Sequence, residues 1–390
     1  MHVTPSMMET EAPPVMEARR WIDGVTFPPD RPLLNVSQAA PVDPPPEALR
    51  QAMADFALHE TSAHLYGPVL GRPELRAQVA KDWTSEYGGT VSPDDVAITS
   101  GCNQAFATAM ATIAQFGDEV ILPSPWYFNH KMWLDMNGIK TVPLDCGESL
   151  IPNPAEAERL ITDKTRAIVF VTPNNPTGAE YPAGVLKAFF DLCQSHDLAL
   201  IVDETYRDFH SSSDAPHLLF QEPNWRETLI QLYSFSKSYR LTGHRVGALV
   251  ASPERLAQVE KFLDTVAICP NQLGQLSALW GMQNLRQWLA GERDEILNRR
   301  AAIEKEFADL EGWDVLGVGA YFAYVRHPFD EPSDKVAKRL VTDASVLALP
   351  GTMFAPENAP IGVNCLRFAF ANIDATDIAE LANRLRSLSR

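Results

Sequence analysis

A lysine and an arginine eight residues apart stand in the segment of this chain with the clearest chemistry. Lys237 and Arg245 lie in residues 234–247, which follow an apolar stretch and carry hydroxyls and glycines between the two cations. A lone lysine is usually a solvated surface charge. At the end of a buried strand, however, an amine loses part of its hydration, which lowers its pKa and makes it a nucleophile for Schiff-base chemistry. The segment therefore indicates a reactive amine.

A carboxylate follows a second apolar stretch. Asp203 ends the strand candidate 198–203, and Tyr206 comes three residues later. A carboxylate at the end of a buried strand must be paired, and a protonated pyridine nitrogen is one possible partner. A helix N-cap is the alternative role for Asp203.

Two turns complete the candidate segments. The Asn-Pro-Thr-Gly string that begins at Asn175 follows another apolar stretch, although these residue types also form ordinary turns. Gly101 and Cys102 stand between a strand end and a helix whose first turn has no large side chain. Free N–H groups at such a helix start can bind a phosphate. The lysine and hydroxyl residue of a Walker loop do not follow, so this is not that nucleotide motif.

All four segments come directly after strand candidates, and this placement predicts the fold. Strands alternate with helices, which predicts an α/β domain whose mostly parallel sheet is covered on both faces and collects ligands at the carboxyl ends of its strands. The predicted strands are 96–99, 119–122, 167–172, 198–203, 229–235 and 246–251, and the helices between them include 101–115, 183–195 and 253–267.

The two ends of the chain differ from this pattern. The residues before about 47 are Pro-rich and irregular, which predicts an extended arm rather than a packed element. After about residue 285 the predicted order is helix, strand, helix, strand, helix, which indicates a smaller α+β domain completed by the N-terminal segment. The predicted division is 1–48 for the arm and part of the small domain, 49–286 for the large domain and 287–390 for the small domain.

Composition excludes several classes of function. The 390 residues carry 33 basic and 50 acidic side chains, a net charge of −17, which argues against nucleic acid or an anionic membrane as a partner. The five cysteines are far apart and odd in number, so neither a disulfide framework nor a metal-binding cysteine pair is indicated. No apolar run approaches the length of a membrane span, and the first twenty residues lack the basic start of a secretory signal. We therefore expect a cytoplasmic protein without a metal site.

Together, the four segments resemble the fold-type I pyridoxal-phosphate (PLP) enzymes of the class I/II aminotransferase family. Their order and approximate spacing match that family, and the resemblance extends over almost the whole chain. It implies a seven-stranded, mostly parallel sheet in the large domain. Further matching stretches are residues 65–68, 71–76, 319–322 and 366–368, and residues 103–106 and 125–128 look most like kynurenine, aromatic and methionine aminotransferases.

The resemblance also implies roles for residues around the reacting atoms. Lys237 would form the internal aldimine and carry the proton between the substrate Cα and the cofactor. Asp203 would keep the pyridine nitrogen protonated, so that the ring acts as an electron sink. Tyr206 and Asn175 would hydrogen-bond the phenolic oxygen, and Tyr127 would stack on the ring.

Further implied roles concern the phosphate. The N–H groups of Gly101 and Cys102, together with Ser234 and Arg245, would bind it. Tyr66 would reach the phosphate from a neighbouring subunit, which implies a homodimer with shared active sites.

Arg367 would bind the substrate carboxylate with help from Asn175, and a surface salt bridge is the alternative role for this arginine. Ala39 stands where the family usually has glycine in the segment that covers the substrate, so its methyl group could narrow the site.

The predicted activity is transfer of the amino group of an L-amino acid to a 2-oxo acid. Aromatic residues near the predicted site favour a neutral, aromatic or methionine-like donor, and no second arginine can be placed opposite the substrate side chain. A PLP-dependent C–S β-lyase on the same fold is the first alternative, because the same carbanion can expel a β-substituent. A catalytically silent PLP-binding regulator is the second.

Overall fold

The structure, a computed structural model, describes residues 2–388. Its strands are β1 (Leu34–Asn35), β2 (Val96–Thr99), β3 (Glu119–Ser124), β4 (Lys140–Asp145), β5 (Thr165–Val171), β6 (Ala199–Asp203), β7 (Leu229–Ser234), β8 (Gly247–Val250), β9 (Asp314–Gly319), β10 (Phe322–Arg326), β11 (Val346–Leu347), β12 (Leu349–Pro350) and β13 (Cys365–Ala369).

The α-helices of the described chain are α1 (Pro5–Glu9), α2 (Pro14–Arg20), α3 (Glu47–His59), α4 (Pro73–Tyr87), α5 (Cys102–Ala111), α6 (Phe128–Met136), α7 (Pro154–Leu160), α8 (Ala183–Ser195), α9 (Trp225–Thr228), α10 (Phe235–Ser238), α11 (Pro253–Ala267), α12 (Gln272–Asn284), α13 (Arg286–Ala308), α14 (Ser333–Ala344), α15 (Pro360–Val363) and α16 (Ala375–Arg386).

The predicted α/β fold with a seven-stranded, mostly parallel sheet is confirmed. The strand order is β2-β8-β7-β6-β5-β3-β4, and only β8 runs antiparallel to its neighbours. The edge strand β4 was absent from the prediction. It has one buried residue among exposed and half-buried ones, so it lacks the continuous apolar run that marks the central strands.

The central strands explain why the candidate residues converge. Along β6, Leu200 and Val202 pack into the core on one face of the sheet, whereas Ala199 and Ile201 pack into the core on the other. Because β5, β6 and β7 are parallel neighbours, their carboxyl ends lie at one edge. The segments that carry Asn175, Asp203 and Lys237 leave the sheet there.

A second, antiparallel sheet has the order β12-β13-β10-β9 and packs against α13, α14 and α16. The N-terminal strand β1 pairs with β11 in parallel, with Leu34 opposite Val346. Through this pairing the N-terminal segment contacts the C-terminal part of the chain, and the domain ranges remain a prediction.

The prediction of an extended, unpacked N-terminal arm was wrong where α1, α2 and β1 form. The helices α1 and α2 form there, and Ala18 is fully buried in a cluster with Phe128 and Phe354. The prolines at the first positions of these helices do not oppose helix formation, because an N–H at that position would have no helical partner anyway. Residues 41–46, the densest proline run, form no regular element.

Other boundaries differ by a few residues. The helix α5, for example, ends at Ala111 rather than at 115. Within residues 2–388, no helix has both the length and the apolar character needed to cross a bilayer. The same residues contain no cluster of three or more His, Cys, Asp or Glu side chains that could hold a metal ion.

Candidate active site

A cavity of about 330 Å³ lies at the carboxyl edge of the large sheet. It brings together most of the side chains that the sequence singled out. The predicted residues that line it are Ala39, Cys102, Tyr127, Asn175, Asp203, Tyr206, Ser234, Lys237, Arg245 and Arg367.

Lys237 is presented by α10, the one-turn helix that follows β7. The Ser234 hydroxyl caps this helix by accepting a hydrogen bond from the Ser236 N–H at 3.3 Å. Burial lowers the pKa of Lys237 to about 8, and the nearby positive charges of Arg245 and Arg367 add to that shift. The Lys237 Nζ donates to the Ala39 carbonyl at 2.6 Å. The amine is therefore held at the cavity with about a tenth of it unprotonated at pH 7, a far larger fraction than for an exposed lysine.

Asp203 lies at the end of β6 and is 2% exposed. Its Oδ1 accepts hydrogen bonds from the Thr205 N–H at 3.0 Å and the Thr205 hydroxyl at 2.7 Å. Its Oδ2 lies 3.3 Å from Nε2 of His130. Burial by itself raises the pKa of Asp203, but the interactions with His130 and Thr205 outweigh burial and lower it. The site thus keeps a buried carboxylate charged.

Arg245 approaches the backbone at the start of α5 at one end of the cavity. Gly101 has φ of +83°, and a Cβ added there would lie 2.2 Å from Nη2 of Arg245. The other terminal nitrogen of Arg245 donates to the Ser236 hydroxyl at 3.3 Å. Burial raises the pKa of the Cys102 thiol well above its usual value, which keeps this side chain neutral. Helix N–H groups and a guanidinium thus face the same space, which suits an anion.

Arg367 lies on β13 and is 2% exposed, which excludes a surface salt bridge. Its Nη1 donates to Oδ1 of Asn175 at 2.9 Å, and its Nη2 donates to the Ser37 carbonyl. The guanidinium carbon lies 5.0 Å from the ring centre of Phe322 and 4.9 Å from that of Phe354. Burial lowers the pKa of Arg367 to about 10. Its Nε is buried without a hydrogen-bond partner among the described residues.

The tyrosines of the site are neutral at physiological pH. Burial raises the pKa of both Tyr127 and Tyr206 above the usual tyrosine value. The Tyr127 hydroxyl donates to Oδ1 of Asn103 at 3.3 Å and accepts from Nδ2 of Asn129 at 2.9 Å. Tyr206 lies beside Lys237, whose Nζ is 6.0 Å from the ring centre. The Tyr206 hydroxyl can therefore act as a hydrogen-bond donor toward a molecule in the cavity, whereas the Tyr127 hydroxyl already donates to Asn103.

Comparison with known proteins identifies the family. The model of the family "Aminotransferase class I and II" matches residues 31–385. The chain belongs to this family. This aminotransferase is 31% identical over 365 residues to valine–pyruvate aminotransferase of Mycobacterium tuberculosis, covering 91% of this chain and 90% of that protein. It is 29% identical over 329 residues to aspartate/prephenate aminotransferase of Thermus thermophilus, covering 79% of each.

Solved structures show the same fold. Aspartate aminotransferase from Thermus thermophilus with maleate matches with a TM-score of 0.89 at 23% identity over 99% of each chain. Aspartate aminotransferase from Thermotoga maritima matches with a TM-score of 0.87 at 24% identity, over 98% of this chain and 99% of that one. The predicted resemblance to fold-type I aminotransferases is therefore confirmed, and the chain is an enzyme of this class.

Two predicted residues of the aminotransferase lie outside the cavity lining. Gly101 lies against Arg245, which leaves no room for a side chain, so only the backbone of Gly101 is available to a ligand. Tyr66 is 80% exposed at the surface, next to Gly67, whose N–H donates to Sγ of Cys269 at 3.4 Å. Within its own chain, Tyr66 is thus not part of the described cavity.

Several residues of the site were absent from the sequence-based set. His130 is buried beside Asp203, outside the cavity lining, and stacks on Phe106 with ring centres 3.9 Å apart. It is three residues after Tyr127, a spacing that places two side chains on one side of a helix and could have indicated it. The residues that the structure adds to the lining are Pro13, Pro14, Val15, Gln38, Asn103, Phe128, Asn129, Val171, Thr205 and Ser236.

Residues 37–39 cover the cavity and use consecutive carbonyls. The Ser37 carbonyl accepts from Arg367, that of Gln38 accepts from the Asn372 side chain, and that of Ala39 accepts from Lys237. Two of these donors are candidate reactive or substrate-binding groups. The segment therefore occupies hydrogen-bond donors of both groups.

Proposed function

We propose that this aminotransferase uses pyridoxal phosphate bound through Lys237 to transfer the amino group of an L-amino acid to a 2-oxo acid. The observation that carries the proposal is the convergence of Lys237, Asp203 and Arg367 on one cavity. A nucleophilic amine, a buried carboxylate and a buried guanidinium are the three groups that this chemistry requires from the protein.

The residues present fit the phosphate of the cofactor. Gly101 leaves open the space into which Arg245 reaches, and the ten-residue helix α5 begins directly after it. We propose that the N–H groups of Gly101 and Cys102, the Ser234 hydroxyl and Arg245 bind the phosphate oxygens. The paired donors of a guanidinium suit two oxygens at once.

The residues also fit the pyridine ring. Asp203 is kept charged in a buried position, and Nε2 of His130 lies 3.3 Å from its Oδ2. We propose that Asp203 accepts a hydrogen bond from the pyridinium N–H and that Tyr206 and Asn175 hydrogen-bond the phenolic oxygen. Tyr127 would stack on the face of the ring. When bound, the protonated ring supplies an electron sink for negative charge at the substrate Cα.

Lys237 would act first as the nucleophile that attaches the cofactor and then as the base. A pKa of about 8 leaves part of the amine unprotonated near pH 7, which attack on an aldehyde requires. We propose that Nζ, once released, removes the proton from the substrate Cα and returns it in the second part of the reaction. Its contact with the Ala39 carbonyl must break before this step.

Arg367 would bind the α-carboxylate of the substrate. Its charge has no carboxylate partner among residues 2–388, and its Nε is buried without a partner. A substrate carboxylate would replace the Ser37 carbonyl and supply the missing negative charge. The Ala39 methyl group lies at the same cavity and would limit the room above the substrate.

The walls of the cavity favour a neutral, aromatic or methionine-like amino donor. Pro13, Pro14, Val15, Tyr127 and Phe128 offer apolar surface on the side where the N-terminal segment covers the cavity. Relatives carry the names valine–pyruvate, aromatic and aspartate/prephenate aminotransferase, so family membership alone leaves the donor open.

We further propose a homodimer in which Tyr66 of each subunit contacts the phosphate in the other. The support is its exposed position outside its own cavity, together with other exposed apolar side chains nearby in sequence and at α11, namely Leu58, Leu65, Val266 and Ile268. Large exposed apolar side chains of this kind commonly mark an interface.

Trapping the cofactor tests the proposal. Purified protein supplied with pyridoxal phosphate is reduced with borohydride, and mass spectrometry should locate the adduct on Lys237. Lys237→Ala should lose both the adduct and turnover, whereas Lys131→Ala, which removes a lysine paired with Asp135 on α6, should keep both. An adduct at other lysines only would contradict the proposal.

A panel of amino acids added without an acceptor distinguishes the remaining activities. Conversion of the bound cofactor to its amine form, with one equivalent of 2-oxo acid released, is the expected result. Continuous release of ammonia and pyruvate from S-alkylcysteines would instead indicate the β-lyase. Normal cofactor binding without a response to any amino acid would indicate the silent regulator.

A further inference from the structure

An unpaired arginine lies at the mouth of the candidate active site. Arg19 is exposed near the end of α2, and its Nη2 donates to Oε1 of Gln38 at 2.5 Å. Gln38 itself lines the cavity. In the part of the chain that the structure describes, Arg19 forms no salt bridge. The neighbouring Arg20, by contrast, pairs with Glu17 at 2.9 Å.

The backbone around Gln38 fixes where this charge stands. The Gln38 carbonyl is bound by Asn372, and the carbonyls on either side of it are bound by Arg367 and Lys237. The first residues of α2, Pro14 and Val15, also line the cavity. One short helix therefore provides both part of the apolar wall and a cation held beside the opening.

This arrangement bears on how the second substrate, the 2-oxo acid that accepts the amino group, is bound. Within the lining formed by the described residues, the arginines are Arg245, assigned to the phosphate, and Arg367, assigned to the α-carboxylate. The rest of the wall is apolar or uncharged on the side of the N-terminal segment. A second carboxylate on a substrate would therefore find a positive charge at Arg19, which is bound to the lining residue Gln38 and has no carboxylate partner in the described chain.

We propose that Arg19, presented by Gln38, binds the distal carboxylate of a dicarboxylic 2-oxo acid that serves as the amino acceptor. A neutral donor would use only the apolar wall, and the acceptor would draw the guanidinium from Gln38 toward the opening. The inference rests on the proposed function and deepens it, because it names the acceptor class.

Acceptor kinetics test the inference. With the best amino donor of the panel, kcat/KM is measured for 2-oxoglutarate, oxaloacetate and pyruvate in the wild type, Arg19→Ala, Arg19→Lys and the matched control Arg20→Ala. A charged hydrogen bond contributes enough to affinity that Arg19→Ala should lower kcat/KM for both dicarboxylic acids about tenfold or more. Pyruvate should be affected far less, Arg19→Lys should recover part of the loss, and Arg20→Ala should resemble the wild type.

A binding measurement separates this inference from the activity itself. Calorimetry of the cofactor-loaded protein compares glutarate, which has two carboxylates and no oxo group, with butyrate, which has one. Wild type should bind glutarate more tightly than butyrate, and Arg19→Ala should remove the difference. Equal loss for mono- and dicarboxylic ligands, no loss, or no preference in the wild type would overturn the role of Arg19. Absence of transamination with any donor would instead contradict the proposed function, and calorimetry would still test Arg19.

Discussion

At the scale of single residues, the site combines charges that water would normally screen. Lys237 and Arg367 are both surrounded by protein. Burial lowers the pKa of each, because it disfavours the charged form. Asp203 is the opposite case, because its polar neighbours keep the carboxylate ionised. The cavity thus holds a partly neutral amine next to a charged guanidinium, which suits an amine nucleophile that acts beside an anion-binding group.

The pKa of Lys237 predicts a pH dependence. Only the unprotonated amine attacks an aldehyde, so the rate at which cofactor-free protein captures pyridoxal phosphate should rise with pH and level off above about 8. Stopped-flow absorbance at fixed cofactor concentration measures this rate. A rise that continues beyond pH 10, as for an ordinary lysine, would contradict the burial effect.

The charge of Asp203 is predicted to matter more than its hydrogen bonds. Asp203→Asn keeps the shape but removes the charge from a buried pair, so turnover should fall by about two orders of magnitude or more. Thr205→Ala removes one hydrogen bond to Asp203 and should cost less than about tenfold. Turnover with the best donor decides, and an Asn variant close to wild type would show that Asp203 is only a structural cap.

At the scale of elements, the turn between β2 and α5 needs glycine for two reasons, its backbone conformation and the space that Arg245 occupies. Gly101 has positive φ, and Arg245 occupies the space where a side chain would stand. Glycine is needed there on both grounds. The N-terminal helix α2 likewise serves both packing and the site. Its Ala18 is buried in an apolar cluster, and its Val15 lines the cavity.

Gly101→Ala should weaken cofactor binding beyond the cost of backbone strain alone. Its Cβ would meet Arg245 and displace it, so the Kd for pyridoxal phosphate should rise about tenfold or more. Gly117→Ala is the matched control, because Gly117 has φ of +88° with nothing within 4 Å of an added Cβ. Fluorescence titration gives both constants. Equal effects in the two variants would leave only strain as the cause.

At the scale of the whole molecule, two sheets meet around the cavity. The large sheet supplies Lys237 and Asp203 from its carboxyl edge, and β13 of the second sheet supplies Arg367. Arg326 on β10 also binds Glu148, which follows β4 of the large sheet, so the two sheets are linked at a second place as well. Tyr66 is exposed outside the cavity of its own chain, which leaves it available for the proposed contact with a second subunit.

Subunit mixing tests the shared site. If Tyr66 acts across the dimer, hybrids of a Lys237→Ala subunit and a Tyr66→Ala subunit contain one intact site and one doubly altered site. Random reassembly of equal amounts should then restore roughly one quarter of wild-type activity, because half of the dimers are hybrids and each has one good site. No recovery above the two parent variants would place the function of Tyr66 within its own subunit.

Local sequence was sufficient wherever a residue's position depends on the strand that precedes it. Asp203, Lys237 and Asn175 each follow a continuous apolar run, and parallel strands must present their ends at one edge. The glycine before α5 was recognisable for the same reason. Edge strand β4 and the helices α1 and α2 were missed, because partial exposure and proline at a first helical position weaken the local signals.

Only the tertiary structure decided which distant groups touch. The sequence by itself determined the residue types that could bind a cofactor and the strands that carry them. It could not determine that Lys237 reaches a carbonyl 198 residues away, that Arg367 reaches Asn175 across 192 residues, or that Gln38 meets Arg19. These contacts depend on how the N-terminal segment and the second sheet pack over the first, and long-range packing leaves no periodic pattern in the chain.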